Sequence, residues 1–348
     1  MKEGNTELPL DKIRTFLFKN NLIGNENSEI EVHQYSNGFS NLTYLLEIGE
    51  KSYVLRRPPV GAVKHGHDMK REYNVLRQLG LTFDKVPKVY AYSDNIEVLG
   101  APFYIMEKVE GIILTFNEAK KRQVPAREFK VISNTWLDTF VELHTLDYNA
   151  IGLGELGKPE GYVNRQVTNW GKQYLKAATM EIPEALNVMQ WMQDKQPAKY
   201  DHCLIHNDFK YDNVVFKDES WQEINSILDW EMCTLGDPLM DLGTSLAYWT
   251  MHSDDGFLKQ GIPSPTLFEG NPSRLDVVQS YAEKSGRSID NLVFYYVYGL
   301  FKVAVIAQQI FYRYHHGMTK NPKFAMLDKA AQYLSVRAWR VVQNGNIW

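Results

Sequence analysis

Two cysteines, Cys203 and Cys233, are too few for a disulfide framework, so a reducing, cytoplasmic setting is expected. Basic charge is not in excess either. With 38 Lys and Arg against 42 Asp and Glu, the formal net charge of −4 offers no field for nucleic acid, and no nucleic-acid partner is expected. The start, Met1-Lys2-Glu3-Gly4-Asn5, lacks the apolar core of a signal peptide. The most apolar run, Leu292–Ala307, is interrupted by Lys302 and several tyrosines; it reads as a buried helix too short to span a bilayer, with no membrane partner. Internal repeats and low-complexity tracts are missing. So is a dinucleotide fingerprint: Gly152-Leu153-Gly154-Glu155-Leu156-Gly157 has three glycines but no strand before it and no helical pattern after it.

What remains is an ordinary globular composition, 44% hydrophobic and 23% charged over 348 residues, enough for one large domain or two lobes. Helical spacing of Leu10, Ile13, Phe16 and Leu17 predicts a short helix over Leu10–Asn20. Strands are expected at Ile30–Tyr35, Leu42–Ile48, Tyr53–Leu55, Val86–Tyr90 and Ala101–Met106. Lys64–Leu79 reads as a helix stopped by Gly80. From Pro125 the pattern is helical: Val131–His144, one or two helices in Trp170–Gln196, a helix starting at Asn271-Pro272 and stopping at Gly286, then Leu292–Tyr314 and Ala325–Val342. Ser253–Ser273, rich in glycine and proline, is expected to be a long surface loop.

The chemistry-bearing stretch is His206-Asn207-Asp208-Phe209-Lys210-Tyr211-Asp212-Asn213, led in by the apolar Cys203-Leu204-Ile205. A second carboxylate, Asp229, follows the apolar Ile227-Leu228. The first stretch fits H-x-D-x-x-x-x-N position by position. In that pattern the aspartate accepts a proton from a substrate hydroxyl, and the asparagine oxygen and the second carboxylate hold Mg2+. A polar turn that caps itself between two strands is the plain alternative. Upstream, Ser36, Asn37, Gly38, Phe39 and Ser40 form a small polar turn between two strands, suited to pointing backbone N–H groups at phosphate oxygens or to nothing beyond a hairpin.

These stretches, with Leu235-Gly236-Asp237-Pro238-Leu239-Met240-Asp241-Leu242-Gly243 and the tyrosine-rich Tyr295–Tyr314, resemble the aminoglycoside phosphotransferase-like family of small-molecule kinases. The narrower likeness is to stand-alone bacterial members and to the kinase-like part of some acyl-CoA dehydrogenases. It runs from about residue 30 to the end. It implies an α+β, two-lobed protein-kinase-like fold: an N-terminal nucleotide-binding lobe over 1–106, a hinge at 107–111 and a helical lobe over 112–348. It also implies ATP and Mg2+ as cofactors and a small-molecule hydroxyl as acceptor, with the oligomeric state left open. Asp208 would be the base and Lys210 would steady the transferring phosphoryl group, while Asn213 and Asp229 would hold the metal.

On the third strand the family's phosphate-gripping lysine is replaced by Arg56; a one-residue slip would exchange it with Arg57. Glu72, beside the apolar stripe of Met69, Tyr73, Leu76 and Leu79, would pair with Arg56. Glu107 and Val109 would contact the adenine edge through their main chain. Asp241 would support the catalytic loop, and His144 is expected to pack or cap. A basic end, Arg337-Ala338-Trp339-Arg340, and an aromatic Leu246–Tyr314 region disfavour a polycationic acceptor. A hydroxyacyl group or its CoA thioester is suggested, with choline, homoserine or sugars open. The rival of another class is a nucleotide-binding module without turnover.

Overall fold

Ile13 and Leu17 lie one helical turn apart, which places both on the buried face of helix α1 (Leu10–Lys19) in the computed structural model. The structure describes residues 8–35, 41–59 and 68–347. They divide into two compact units, Met1–Gly111 with Asn225–Met232, and Ile112–Ile224 with Cys233–Trp348. The turn at 36–40 read as a phosphate loop lies outside the described residues, as does the start of the helix expected from Lys64.

In the first unit, β1 (Glu31–Gln34), β2 (Leu42–Ile48) and β3 (Lys51–Arg57) run antiparallel. Alternation along β2 turns Tyr44, Leu46 and Ile48 inward, where they meet Ile13, Leu17, Leu55 and Phe103 in one apolar core. Helix α2 (Met69–Leu79) opens on Asp68, whose carboxylate accepts from the Arg71 N–H at 3.0 Å. Then come β4 (Val89–Ser93), the single turn α3 (Ile96–Leu99) and β5 (Phe103–Glu107), giving the antiparallel order β1-β2-β3-β5-β4. Both last strands start later than the sequence suggested, beyond Pro87 and Pro102, because proline has no N–H to give to a ladder.

The division departs from the continuous 112–348 lobe read from the sequence: Asn225–Met232 belongs with the first unit. The reason is local bonding. The Ile227 N–H donates to the Lys85 carbonyl at 2.9 Å, and Asp229 and Glu231 bond Arg56.

The second unit is mainly helical. It begins with β6 (Ile112–Ile113), α4 (Phe116–Arg122), α5 (Ala126–Thr145), α6 (Tyr162–Ala177) and α7 (Pro183–Asp194). Strands β7 (Cys203–Ile205), β8 (Val214–Phe216) and β10 (Thr234–Gly236) follow, with β7 pairing β10 and β6 pairing β8, while β9 (Ile224–Ile227) lies, but for Ile224, in the Asn225–Met232 segment of the first unit. Helices α8 (Pro238–Tyr248), α9 (Gly256–Gly261), α10 (Arg274–Ser285), α11 (Leu292–His315) and α12 (Leu327–Asn344) complete it.

Two glycines let α8 and α11 touch backbone to backbone. A Cβ on Gly243 would lie 2.1 Å from the Tyr295 carbonyl oxygen, and one on Gly299 would lie 2.0 Å from that of Gly243. The run read as too short for a bilayer forms a 24-residue helix, long and apolar enough by length and composition, but 78% of its apolar window is buried inside the fold. Ser253–Ser273 is not an open loop. It contains α9 and a 3-10 turn at Pro265–Leu267, and Asp254 within it is buried against Arg274 and Arg337. Helix α10 starts at Ser273 instead of Asn271-Pro272, because Ser273 and Asp276 form a reciprocal capping box.

Candidate active site

Arg56 settles the strand register. On β3 it sits opposite Thr43 of β2 and Tyr104 of β5, while the Arg57 Nε turns back to the Pro58 carbonyl at 3.3 Å. The Arg56 guanidinium splits its two arms. Nη1 meets the Glu72 carboxylate at 3.0 Å, and Nη2 meets Asp229 at 2.5 Å and Glu231 at 3.3 Å. A lysine's compact ammonium has no such fork, which gives the arginine a physical reason. Burial would lower the Arg56 pKa, but Glu72 and Asp229 hold it well above the usual value. Glu72 is 1% exposed; burial pushes its carboxyl up while Arg56 pulls it down.

Glu231 was not singled out in the sequence, although its place two residues after Asp229 was visible. It accepts from Asn41 Nδ2 at 2.8 Å, and its backbone carbonyl accepts from Arg71 at 3.4 Å. Asp229 itself has φ of +66°, a left-handed conformation that aspartate tolerates better than most side chains. Glu107 ends β5, where its N–H donates to the Lys88 carbonyl at 2.8 Å, and Val109 lies half-buried just beyond.

In the second unit the loop after β7 is fixed from beneath. Asp241 on α8 accepts the His206 N–H at 2.6 Å through Oδ2 and the Asn207 N–H at 2.8 Å through Oδ1. Burial would raise the Asp241 carboxyl, but the hydrogen bond from His144 helps keep it below the ordinary aspartate value. His144, expected to pack or cap, has Nε2 3.2 Å from Asp241 and Nδ1 2.7 Å from the Tyr281 hydroxyl. Its pKa is lowered by burial, so it is a neutral ring between a carboxylate and a hydroxyl.

Asn207 has φ of +69°. Phe209 anchors the loop in the core, stacked on Phe140 of α5 with ring centroids 4.4 Å apart. Asp208 is then presented with its carboxylate accepting from Asn213 Nδ2 at 2.7 Å and ion-paired to Lys210 at 3.0 Å. Lys210 also lies 4.7 Å from the centroid of the Tyr248 ring. The sequence pattern missed Lys302, which it registered only as a break in an apolar run.

The donor set suits a hard divalent cation. In the first unit, three carboxylates (Glu72, Asp229 and Glu231) surround one guanidinium, and Asp229 is 34% exposed. Hard carboxylate oxygens are the ligands Mg2+ takes, usually one or two of them beside phosphate and water. In the second unit, Asn213 commits its amide nitrogen to Asp208, which leaves the oxygen as the end able to ligate.

A five-stranded antiparallel sheet braced by a buried arginine–glutamate pair, and a mainly helical unit presenting an aspartate loop, are the parts of a kinase-like fold. Residues 31–264 match the phosphotransferase enzyme family, and the chain belongs to it as a phosphotransferase of the small-molecule kinase type. It is 34% identical to chicken acyl-CoA dehydrogenase family member 11 over 292 residues, covering 82% of this chain and 37% of that protein. To mouse acyl-CoA dehydrogenase family member 10 it is 30% identical over 335 residues, 95% of this chain and 31% of that one. The chain thus spans about a third of the length of these curated relatives.

Among solved structures, one from Ralstonia eutropha JMP134 assigned as an aminoglycoside phosphotransferase superposes with a TM-score of 0.80 at 27% identity, covering 97% of this chain and 99% of that one. Choline kinase from Cryptosporidium parvum shares the fold, with a TM-score of 0.65 at 13% identity and 97% of each chain covered.

Proposed function

We propose that the protein transfers the γ-phosphoryl group of ATP, with Mg2+, to a hydroxyl of a small molecule, and that the acceptor is a hydroxyacyl compound or its CoA thioester. The observation that carries the reading is Asp208. Its carboxylate is bonded to Asn213 and Lys210, on a loop whose N–H groups are held by Asp241. An aspartate so fixed can accept the proton of an attacking hydroxyl, and Lys210 offsets negative charge on the group being transferred. Arg56, held by Glu72, would grip nucleotide phosphates in the first unit. Asp229 and Asn213 would ligate Mg2+, which neutralises charge on phosphate oxygens. Such sites work by positioning and electrostatics.

The acyl acceptor has two supports. The second unit is rich in buried aromatic and aliphatic side chains. The relatives that match this chain are named for acyl-CoA dehydrogenases, in which a region like this one occupies a minor share of the length. The test is phosphate transfer from ATP to a panel of hydroxyacyl-CoAs, a kanamycin-like aminoglycoside, choline and sugars. Transfer is expected with hydroxyacyl-CoA, lost in Asp208→Asn and made Mg2+-unresponsive in Asp229→Ala. Phosphorylation of the aminoglycoside without response to any hydroxyacyl compound would overturn the acceptor and leave the kinase. ATP binding with no transfer to any acceptor would favour a binding module.

A further inference from the structure

Lys302 is 1% exposed, in the middle of α11, and its hydrogen-bond partners among the described residues are two atoms of Asn207: the backbone carbonyl at 2.8 Å and the side-chain oxygen at 3.2 Å. The Trp170 ring of α6 lies under its ammonium at 5.8 Å. The charged groups that act on it are Asp241 of α8 and, from the loop, Asp208 and Lys210. Burying an ammonium against neutral oxygens is costly, and the Asp241 and Asp208 carboxylates offset only part of that cost. The feature calls for a return elsewhere in the molecule.

That return lies in one peptide plane. The Asn207 carbonyl and the Asp208 N–H belong to the same peptide unit. Lys302 holds its oxygen, and His206 Nδ1 accepts its N–H at 3.3 Å. The preceding N–H is fixed by Asp241, and the Asn207 side chain donates to the Tyr162 hydroxyl at 3.3 Å. Asn207 is in the left-handed region, which asparagine tolerates better than most side chains, and the bonds to Lys302, Asp241 and Tyr162 fix it there. The glycine crossing of α8 and α11 brings this about: Gly299 is one turn from Lys302, and Gly243 is close to Asp241 on the other helix.

We propose that Lys302 is a positioning residue for phosphoryl transfer: it clamps the peptide plane that aims the Asp208 carboxylate. It touches neither substrate nor metal and acts through Asn207. The proposal rests on the kinase reading of Asp208, so its test has one arm that needs no turnover.

Lys302→Met keeps length and removes the charge. It is expected to fold with a thermal midpoint only modestly below wild type, to lower kcat at least ten-fold, and to leave KM for ATP within two-fold. Amide hydrogen exchange in the 203–213 peptide should accelerate at least ten-fold while α5 and α12 stay protected. Lys302→Gln, which keeps one donor for the Asn207 carbonyl, should fall between the two in both readouts. Unchanged kcat and unchanged loop exchange in folded Lys302→Met would overturn the proposal. Activity that falls only in step with the folded fraction, or failure of both variants to fold, would also overturn it by making Lys302 a requirement of the core. If wild type transfers phosphate to nothing, the kinase reading fails, and accelerated loop exchange in Lys302→Met still establishes the clamp.

Discussion

Replacing Asp241 by asparagine changes one carboxylate oxygen to an amide NH2 and removes one charge. Oδ2 serves the His206 N–H at 2.6 Å and the His144 ring at 3.2 Å; Oδ1 serves the Asn207 N–H at 2.8 Å. The less harmful amide orientation keeps the oxygen at the Oδ2 position, so the amide NH2 faces the Asn207 N–H. Setting a buried donor against a donor costs about 1–3 kcal/mol, and the surviving bonds each lose roughly 1 kcal/mol of charge assistance. The total is about 3–5 kcal/mol, a large part of the stability of an ordinary domain.

Urea unfolding followed by tryptophan fluorescence at neutral pH measures it. Trp136 and Trp249 are buried in the same unit and report its core. The pH dependence supplies a second reading. Because the Asp241 carboxyl is depressed in the folded state, its contribution is full above the ordinary aspartate value of 3.8 and is lost as pH falls through the lower folded value. The wild-type advantage over Asp241→Asn should therefore be intact at pH 7 and shrink below pH 3.8. A difference under about 0.5 kcal/mol at pH 7 would refute the idea that these two N–H bonds hold the loop.

Two other substitutions probe the frame around the site. Gly243→Ala gains about 1 kcal/mol of helix propensity but drives a Cβ to 2.1 Å from a backbone oxygen that cannot rotate away, at the upper end of an overpacking cost of about 1–3 kcal/mol, so thermal unfolding should show a net loss of about 1–2 kcal/mol. An unchanged midpoint would mean that α8 and α11 separate freely. For the arginine–glutamate pair, Arg56→Lys should retain part of the activity, Arg56→Ala and Glu72→Ala should each raise KM for ATP, and the double variant should lose less than the sum. Strict additivity of the two KM effects would show that the 3.0 Å contact carries no coupling.

How much was legible in the chain depended on whether the information was local. The alternation of Leu42–Ile48 and the spacing of Ile13 and Leu17 gave elements within a residue or two, because pleat and helix period are properties of consecutive residues. The H-N-D-F-K-Y-D-N stretch was legible because its roles depend on spacing within one loop. Strand starts after Pro87 and Pro102, and the cap at Ser273, were misplaced by a few residues, since each turns on which N–H finds an acceptor.

The sequence by itself determined the longer elements, the class of fold and the chemical alphabet of the site, while the short helix α9 inside Ser253–Ser273 escaped it. Tertiary structure alone decided which charges meet. Arg56 and Arg57 are adjacent and both buried, and only the pairing of β3 with its neighbours chose the one that reaches Glu72, Asp229 and Glu231. In the same way, Lys302 lies far along the chain from Asn207 and had no local pattern to mark it. Its meaning came from two glycines that let α8 and α11 touch, because a contact across the fold is set by how closely backbones approach, and no sequence period encodes that distance.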